Sequence, residues 1–258
     1  MRTFPLAALA AALAGCPSSA PPAPAAAAAS ARPVASASAP AIVSAPAPVP
    51  AAPLDPATLP GRVPCPEDMV PTGVGGCIDA YEASMGTGSV GDVQAKGTTL
   101  VPASKAGKTP ISGLSQKQAV RACENAKKHL CDEKEWLAAC RGPAKWEYTY
   151  GNEYVPNRCR DWHDSAHGTA GAAPTGSYPG CVNSYGAFDL TNNVGELTAT
   201  AERSGNFAVR GGTYNMVIHD SACDEDDYTI KGDAQNKDVG FRCCAPAIAA
   251  DAGAPKKP

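Results

Sequence analysis

The sequence is poor in aromatic residues and carries no excess of positive charge. Aromatic side chains make up 6% of the 258 residues, although 44% are nominally hydrophobic, and alanine supplies much of that apolar count. The composition therefore overstates the size of the core. The formal net charge of -3 argues against a protein that neutralises the phosphates of nucleic acid, so no nucleic-acid partner is expected.

Long apolar runs and common enzyme signatures are also missing. No segment after the first sixteen residues approaches the roughly 20 apolar residues that a membrane-spanning helix needs. No Ser/His/Asp set, phosphate-binding glycine loop or nucleotide motif occurs at a usable spacing. The eleven cysteines include no C-x-x-C pair, so a zinc knuckle is not indicated. So many cysteines are instead typical of disulfides formed in an oxidising compartment.

The first residues predict a lipoprotein signal. Residues 1–15 combine one positive charge with a short apolar run, Leu6 to Leu13, which is typical of a signal peptide. The segment Leu-Ala-Gly-Cys16 resembles a bacterial lipobox, in which the cysteine is lipidated and becomes the mature N-terminus. Cleavage after Ala14 is the alternative, but it leaves an odd number of cysteines, whereas lipidation of Cys16 leaves ten that can pair. We expect a lipid anchor in the bacterial cell envelope, facing the periplasm or the exterior.

Composition divides the remainder into a tether, a folded unit and a tail. Of the 25 prolines, 12 lie between Pro17 and Pro60, together with 17 alanines and two charged residues. We interpret residues 16–61 as an extended tether with a reach on the order of 100 Å. Cysteines, aromatic residues and charges then persist over residues 62–246, the predicted single domain. Residues 247–258 return to Ala, Gly and Pro and are expected to form a disordered tail.

Helical signals in the domain are confined to two capping boxes. The first, from Ser115 to Gln118, predicts a helix from about Gln116 to Lys128. The second, from Asp132 to Glu135, predicts a short helix that stops at Arg-Gly-Pro143. Elsewhere turn residues leave room for brief strands only, and most of the domain is expected to be loop. The predicted strands are Cys77 to Glu82, Phe207 to Arg210 and Val239 to Cys243.

Six segments, in order, resemble the formylglycine-generating enzyme (sulfatase-modifying factor) family. They cover nearly all of Cys65 to Cys244, and each is weak alone. The resemblance implies a loop-rich, disulfide-braced α+β domain, a variant of the C-type lectin-like fold. The segments are residues 77–82, 128–142, 148–152, 186–196, 209–213 and 239–242.

The chemistry of that family depends on two cysteines that this sequence does not supply. In the family, a cysteine pair shortly after an Arg-Gly-Gly motif binds copper, because two thiolates hold soft Cu(I) well. Here Cys223 is the one cysteine between Arg210 and Cys243, and Met216 falls near the missing position. Cys223 is a residual catalytic candidate or a structural cysteine, and we favour the structural role. Copper binding and formylglycine generation are therefore not expected, and no catalytic residue is assigned.

The resemblance also implies disulfides. It pairs Cys123 with Cys243 and Cys140 with Cys223. Proximity in the sequence then pairs Cys65 with Cys77 and Cys159 with Cys181. Cys131 is paired with Cys244, because the adjacent Cys243 and Cys244 point to opposite faces of a strand. Each bridge is expected to contribute about 2 to 4 kcal/mol.

A calcium site is the one cofactor site that the resemblance supports. The predicted ligands are the side chains of Asp189 and Glu196 and the main-chain carbonyls of Asn192 and Val194, hard oxygen donors that suit Ca²⁺. A polar Asx-type turn is the alternative. The family usually reads Trp-Glu-Trp where this chain has Gly-Glu196-Leu, so aromatic packing around the loop is lost. The family's second calcium site is not predicted.

Three other candidates are interpreted as structural or solvated. His163 and His167 have an i, i+4 spacing but lie in a glycine-rich stretch without a helix signal, so a metal site is not favoured. The acidic run from Asp224 to Asp227 is expected to be a solvated surface. Trp136 and Arg242 are expected to belong to the core and its buried hydrogen bonds.

These patterns predict a tethered, non-catalytic recognition or scaffold module. Its partner would be an envelope protein, a peptide or a glycan, contacted by variable loops on a braced framework. The alternative is a formylglycine-generating-type oxidase that acts on a cysteine of a sulfatase or another protein. A third hypothesis, the iron chemistry of the ergothioneine-pathway relatives, is not favoured, because the helical histidine-bearing domain is missing. On balance the sequence favours a protein that is not an enzyme.

Overall fold

The computed structural model describes residues 59–88, 99–164, 171–216, 221–225 and 228–249. All of them lie within one compact unit, Pro50–Pro258. The predicted signal, the lipidation site Cys16 and most of the tether fall outside the described residues, as do His167 and the last two positions of the acidic run. None of the helices in the described part is long and apolar enough to cross a bilayer.

Two helices form where the capping boxes predict them. Helix α1 spans Gln116–Asn125 and helix α2 spans Glu133–Arg141, and both reciprocal capping boxes are present. Helix α1 ends earlier than the predicted Lys128, because Lys127 adopts a left-handed backbone with φ of 61°. A capping box is a local interaction, so it marks the start of a helix better than its end.

Within the described ranges, ten short strands form three sheets. The first sheet is antiparallel in the order β1-β2-β10-β5, the second pairs β3 with β4, and the third has the order β8-β7-β6-β9 with β6 and β9 parallel. The strands are β1 (Met69–Pro71), β2 (Gly76–Asp79), β3 (Ala83–Thr87), β4 (Val101–Ser104), β5 (His129–Leu130), β6 (Gly195–Ala201), β7 (Phe207–Arg210), β8 (Thr229–Ile230), β9 (Val239–Phe241) and β10 (Cys243–Pro246).

Two strand predictions need correction. The strand predicted from Cys77 to Glu82 ends at Asp79, and Glu82 lies just before β3. The strand predicted from Val239 to Cys243 is two strands in different sheets, β9 and β10, separated at Arg242. The chain changes sheet there because the Arg242 side chain turns into the interior, where it makes the buried bonds described below.

Three apolar clusters fill the interior of the described part, and the smallest contains Met69, Cys77 and Ala245. One packs around α1 and the third sheet, with Leu197, Val209 and Phe241. Another packs around α2, with Trp136 and Leu190. Since a strand alternates its faces, the adjacent residues 243 and 244 reach different clusters.

Five disulfides brace these layers. They are the pairings expected from the sequence. Two of them join α1 and α2 to distant segments, and a third joins the residue after β5 to β10. Their side chains are buried except for the half-buried Cys65. The bridges are Cys65–Cys77, Cys123–Cys243, Cys131–Cys244, Cys140–Cys223 and Cys159–Cys181.

Candidate functional site

A buried charged cluster lies where α2, β6 and the β9–β10 junction meet. Glu196 accepts a hydrogen bond from Trp136 Nε1 at 2.6 Å through one carboxylate oxygen and from Arg242 Nε at 2.7 Å through the other. The Arg242 guanidinium also donates to the main-chain oxygens of Asp79, at 3.1 Å, and Phe188. All three interacting side chains are almost fully buried. The structural roles expected for Trp136 and Arg242 are confirmed.

Glu82 is a further member of this cluster that the sequence did not single out. Its carboxylate accepts from the Val194 amide at 3.1 Å and from Asn193 Nδ2 at 2.7 Å. It therefore fastens the predicted calcium loop to the turn before β3. Asp189, at the start of that loop, accepts from the Gly176 amide at 2.6 Å. The sequence showed only a glutamate at the end of a predicted strand. Its role could not be predicted, because its hydrogen-bond partners are 111 and 112 residues away.

The cluster holds more negative than positive charge. Burial raises the pKa of Glu82 well above its usual range, and the nearby Asp189 carboxylate raises it further. Burial also raises the pKa of Asp189 to about 6 and raises that of Glu196. Three carboxylates face one guanidinium, that of Arg242, so the fully ionised cluster carries two net negative charges.

The predicted calcium ligands can be tested against this geometry. Asn192 Oδ1 is buried and has no hydrogen-bond partner, and the backbone is left-handed at Asp189, Asn192 and Asn193. A buried oxygen with no hydrogen-bond partner among the described residues is the type of donor that a divalent hard cation takes. Glu196 fits less well, because both of its oxygens already accept hydrogen bonds. The loop therefore matches Ca²⁺ in donor type, with Asp189 as its less engaged carboxylate.

The segment that would carry the family's copper pair is anchored by structural interactions. Cys223 forms a disulfide with Cys140 of α2, so it holds no thiolate. Every cysteine among the described residues is in a disulfide. Met216 is half-buried, and residues 217–220 lie outside the described ranges.

The Arg-Gly-Gly motif before this segment has a packing explanation. Arg210 forms an ion pair with Glu133 of α2 and donates to the carbonyl of Glu225. Gly211 has φ of 85°, and a Cβ there would stand 2.8 Å from the Leu190 carbonyl and 3.2 Å from the Trp136 ring. Only glycine fits this position.

An aromatic patch, not foreseen from the sequence, lies on the loop after α2, with Trp162 exposed and its other members half-buried. We define it as Tyr150, Tyr154, Trp162 and His163. The ring centroids of Trp162 and His163 are 3.9 Å apart, those of His163 and Tyr154 are 6.1 Å apart, and Trp162 is 48% exposed. The buried carboxylate of Asp161 accepts from the Tyr154 hydroxyl at 2.5 Å and from the His163 amide at 3.0 Å. The patch is therefore held rigidly. Its signal was the concentration of aromatic residues in a chain that has few.

The described members of the remaining metal candidates bond to other groups, while His167 and the last two acidic positions lie outside the described residues. His163 bonds to Tyr154, and Asp224 forms an ion pair with Arg141 at 3.1 Å. Within the described ranges, one group of three side chains has metal-ligand proximity: His129, Glu135 and Cys244. Its sulfur belongs to the disulfide with Cys131, so it offers no thiolate.

Comparison with known sequences decides the family. The profile described as "Sulfatase-modifying factor enzyme 1-like domain" matches residues 77–247, two thirds of the chain. The chain belongs to the sulfatase-modifying factor family. This finding confirms the resemblance drawn from the six segments. The described disulfides and the few short helices agree with the loop-rich, C-type lectin-like variant expected of a sulfatase-modifying factor domain.

Two curated relatives match part of the chain, and their names differ in the activity they state. "Inactive C-alpha-formylglycine-generating enzyme 2" of Bos taurus is 31% identical over 153 residues, which cover 54% of this chain and 50% of the relative. "Formylglycine-generating enzyme" of Thermomonospora curvata is 34% identical over 101 residues, 35% of this chain and 33% of the relative. The chain thus spans half or less of the length of these relatives.

Solved structures share the fold at low identity. CarF has a TM-score of 0.52 at 16% identity and covers 67% of this chain and 87% of its own. PvdO from Pseudomonas aeruginosa has a TM-score of 0.51 at 15% identity and covers 72% and 90%. The likeness establishes the fold of this sulfatase-modifying factor domain and nothing about its activity.

Proposed function

We propose that this sulfatase-modifying factor domain is a non-catalytic recognition or scaffold module. The observation that carries the proposal is the disulfide between Cys140 and Cys223. A disulfide cannot bind Cu(I) as a thiolate pair does, and the sequence after Arg210 holds no second cysteine before Cys243. The names of the Bos taurus and Mus musculus relatives, both called inactive, support the same interpretation.

The proposed setting is the bacterial envelope. Lipidation of Cys16 would anchor the chain in a membrane, and the proline-rich tether would hold the domain away from the surface. The aromatic patch around Trp162 suits recognition of an envelope protein, peptide or glycan, because rigid aromatic side chains lose little entropy on binding. The residues of the patch are separate from the segment after Arg210, where the family carries its copper-binding cysteine pair.

Thiol counting tests the proposal. The mature protein is alkylated under non-reducing conditions, digested and analysed by mass spectrometry, and Cu(I) binding is measured on the same sample. We expect no alkylated cysteine, no tight copper complex, and lipid on Cys16. A Cys140→Ala variant releases the Cys223 thiol and serves as the positive control for alkylation.

The alternative, a formylglycine-generating-type oxidase, has a distinct signature. It requires two reducible thiols beyond Arg210 and oxygen consumption when copper and a cysteine-containing peptide are added. Either result would overturn the non-catalytic proposal.

We further propose that the loop from Asp189 to Glu196 binds Ca²⁺. The surplus of buried carboxyl groups over cations and the Asn192 Oδ1 atom, which has no described partner, support this site. A site with a Kd of about 10 μM would stabilise the fold by about 2.7 kcal/mol at 1 mM Ca²⁺. Thermal unfolding of the EDTA-treated protein should therefore shift upward on adding Ca²⁺. Asp189→Ala should lose the shift, while Asp233→Ala, an exposed acid elsewhere, should keep it. An unshifted wild-type midpoint would contradict the site.

A further inference from the structure

An apolar groove with a basic rim lies beside the C-terminal end of α2. Its cavity has a volume of about 590 Å³, within the range of ligand-binding pockets. Val74 on its floor is 46% exposed, which is high for a residue of this size and type. The basic residues on its rim are Arg141 and Lys145, and the apolar floor consists of Val74, Leu137, Ala138 and Pro143.

The described chain starts at this groove. Pro60 and Gly61 line the cavity together with Tyr185. Leu59 is buried, and the Tyr185 hydroxyl donates to the Pro60 carbonyl at 2.6 Å. The residues before Leu59 are therefore covalently tied to a point two peptide bonds along the chain from the edge of the groove. Because of this covalent link, the residues before Leu59 have a very high effective concentration at the groove.

Those preceding residues have a composition that matches the groove. Residues 51–58 read Ala-Ala-Pro-Leu-Asp-Pro-Ala-Thr, and we call them the strap. Leu54 is its one large apolar residue, and Asp55 is the one acidic residue between Pro17 and Thr58. Prolines on both sides of this pair favour an extended backbone, which lowers the entropy lost on docking.

The rim offers a partner for that acid. Lys145 is exposed, and its ammonium makes no ion pair with any residue in the described ranges. Arg141 bonds to the half-exposed Asp224 at 3.1 Å. The rim therefore has a cation available for one carboxylate beside an apolar floor.

We propose that the strap docks in this groove within the same chain, with Leu54 on the apolar floor and Asp55 paired with Lys145. The contact fixes where the tether leaves the domain, on the face that carries the end of α2. It also shortens the reach of the tether by about 25 Å, at about 3.1 Å per extended residue. The inference does not depend on whether the domain is catalytic.

Hydrogen exchange on the full mature chain tests the docking. The amides of Leu54, Asp55, Ala57 and Thr58 should exchange at least tenfold more slowly than those of residues 35–39 of the same tether. Leu54→Ala should bring them to the tether rate. Val49→Ala, a matched truncation just outside the strap, should leave them protected. Equal exchange rates in the strap and the tether would overturn the proposal.

Charge reversal tests the pairing itself. Asp55→Lys and Lys145→Glu should each weaken the protection, and the double variant should restore it. Lys127→Glu, which changes another exposed lysine with a positive φ, should have no effect. No recovery in the double variant would contradict the pairing. Protection that rises with protein concentration would show that the strap of a second copy is the occupant, which would also overturn docking within one chain. Thiol counts and copper binding are unaffected by either result.

Discussion

At the scale of single residues, Arg242 is the most consequential side chain in the domain. It neutralises Glu196 inside the fold and donates to two main-chain carbonyls, of Asp79 and Phe188. A buried carboxylate left without its cation is costly, since desolvation is no longer offset. This one residue links β2, β6 and the segment at Phe188.

Replacing Arg242 tests that role. Arg242→Leu should lower the free energy of unfolding by about 3 to 5 kcal/mol, measured by denaturant titration with the disulfides intact. Adding Glu196→Gln should recover part of the loss, because the uncompensated charge is removed. If the double variant is as unstable as the single one, lost packing rather than charge explains the effect.

His129 gives the domain a pH-dependent contribution. Its ring nitrogen lies 2.9 Å from a Glu135 carboxylate oxygen, and this hydrogen bond raises the pKa of His129 above its ordinary value. A raised folded-state pKa means that the stabilisation is complete below the unfolded value of about 6.5 and is lost as the pH rises through the folded value.

The corresponding variant is His129→Gln. Its unfolding midpoint should fall below that of the wild type at pH 5.5 and approach it at pH 9. Thermal unfolding at both pH values measures the difference. A difference that does not change with pH would assign the effect of the substitution to packing.

At the scale of elements, the helices follow local signals and the strands follow distant ones. Both helices begin at the predicted capping boxes, since Ser115 and Asp132 bond within their own first turns. The β9–β10 boundary depends on Arg242 turning into the core, a contact with residues 46 and 163 positions away. No window of sequence near residue 242 contains those partners.

Helix α2 depends on a long-range bridge. Cys140–Cys223 closes a separation of 83 residues, whereas Cys159–Cys181 closes 22. In the chain-entropy account the longer loop should contribute about 1 kcal/mol more. Paired Cys→Ala replacements, compared by denaturant unfolding, should show this order. The reverse order would mean that packing around each pair outweighs loop closure.

At the scale of the whole molecule, stability rests on cross-links more than on regular structure. Helices of 10 and 9 residues and strands of 2 to 7 residues leave much of the chain in loops. Five disulfides restrict the unfolded chain in compensation.

Reduction should therefore unfold the domain cooperatively. Incubation with a strong thiol reductant at 37 °C should abolish the near-UV circular dichroism signal, while the untreated protein keeps it. Helix α1 and the first sheet share the Cys123–Cys243 bridge and should lose order together. Retention of tertiary signal after complete reduction would show that packing alone sustains the fold.

The sequence by itself determined the family, the positions of the helix starts and the absence of a copper-binding cysteine pair after Arg210. These features are encoded by residue identity or by contacts within a few positions. Tertiary structure alone brought Glu82 to the loop that begins at Asp189, assembled the aromatic patch and opened the groove where the chain enters the domain. Each of these joins residues far apart in the chain, and their proximity follows from how the layers pack rather than from any local pattern.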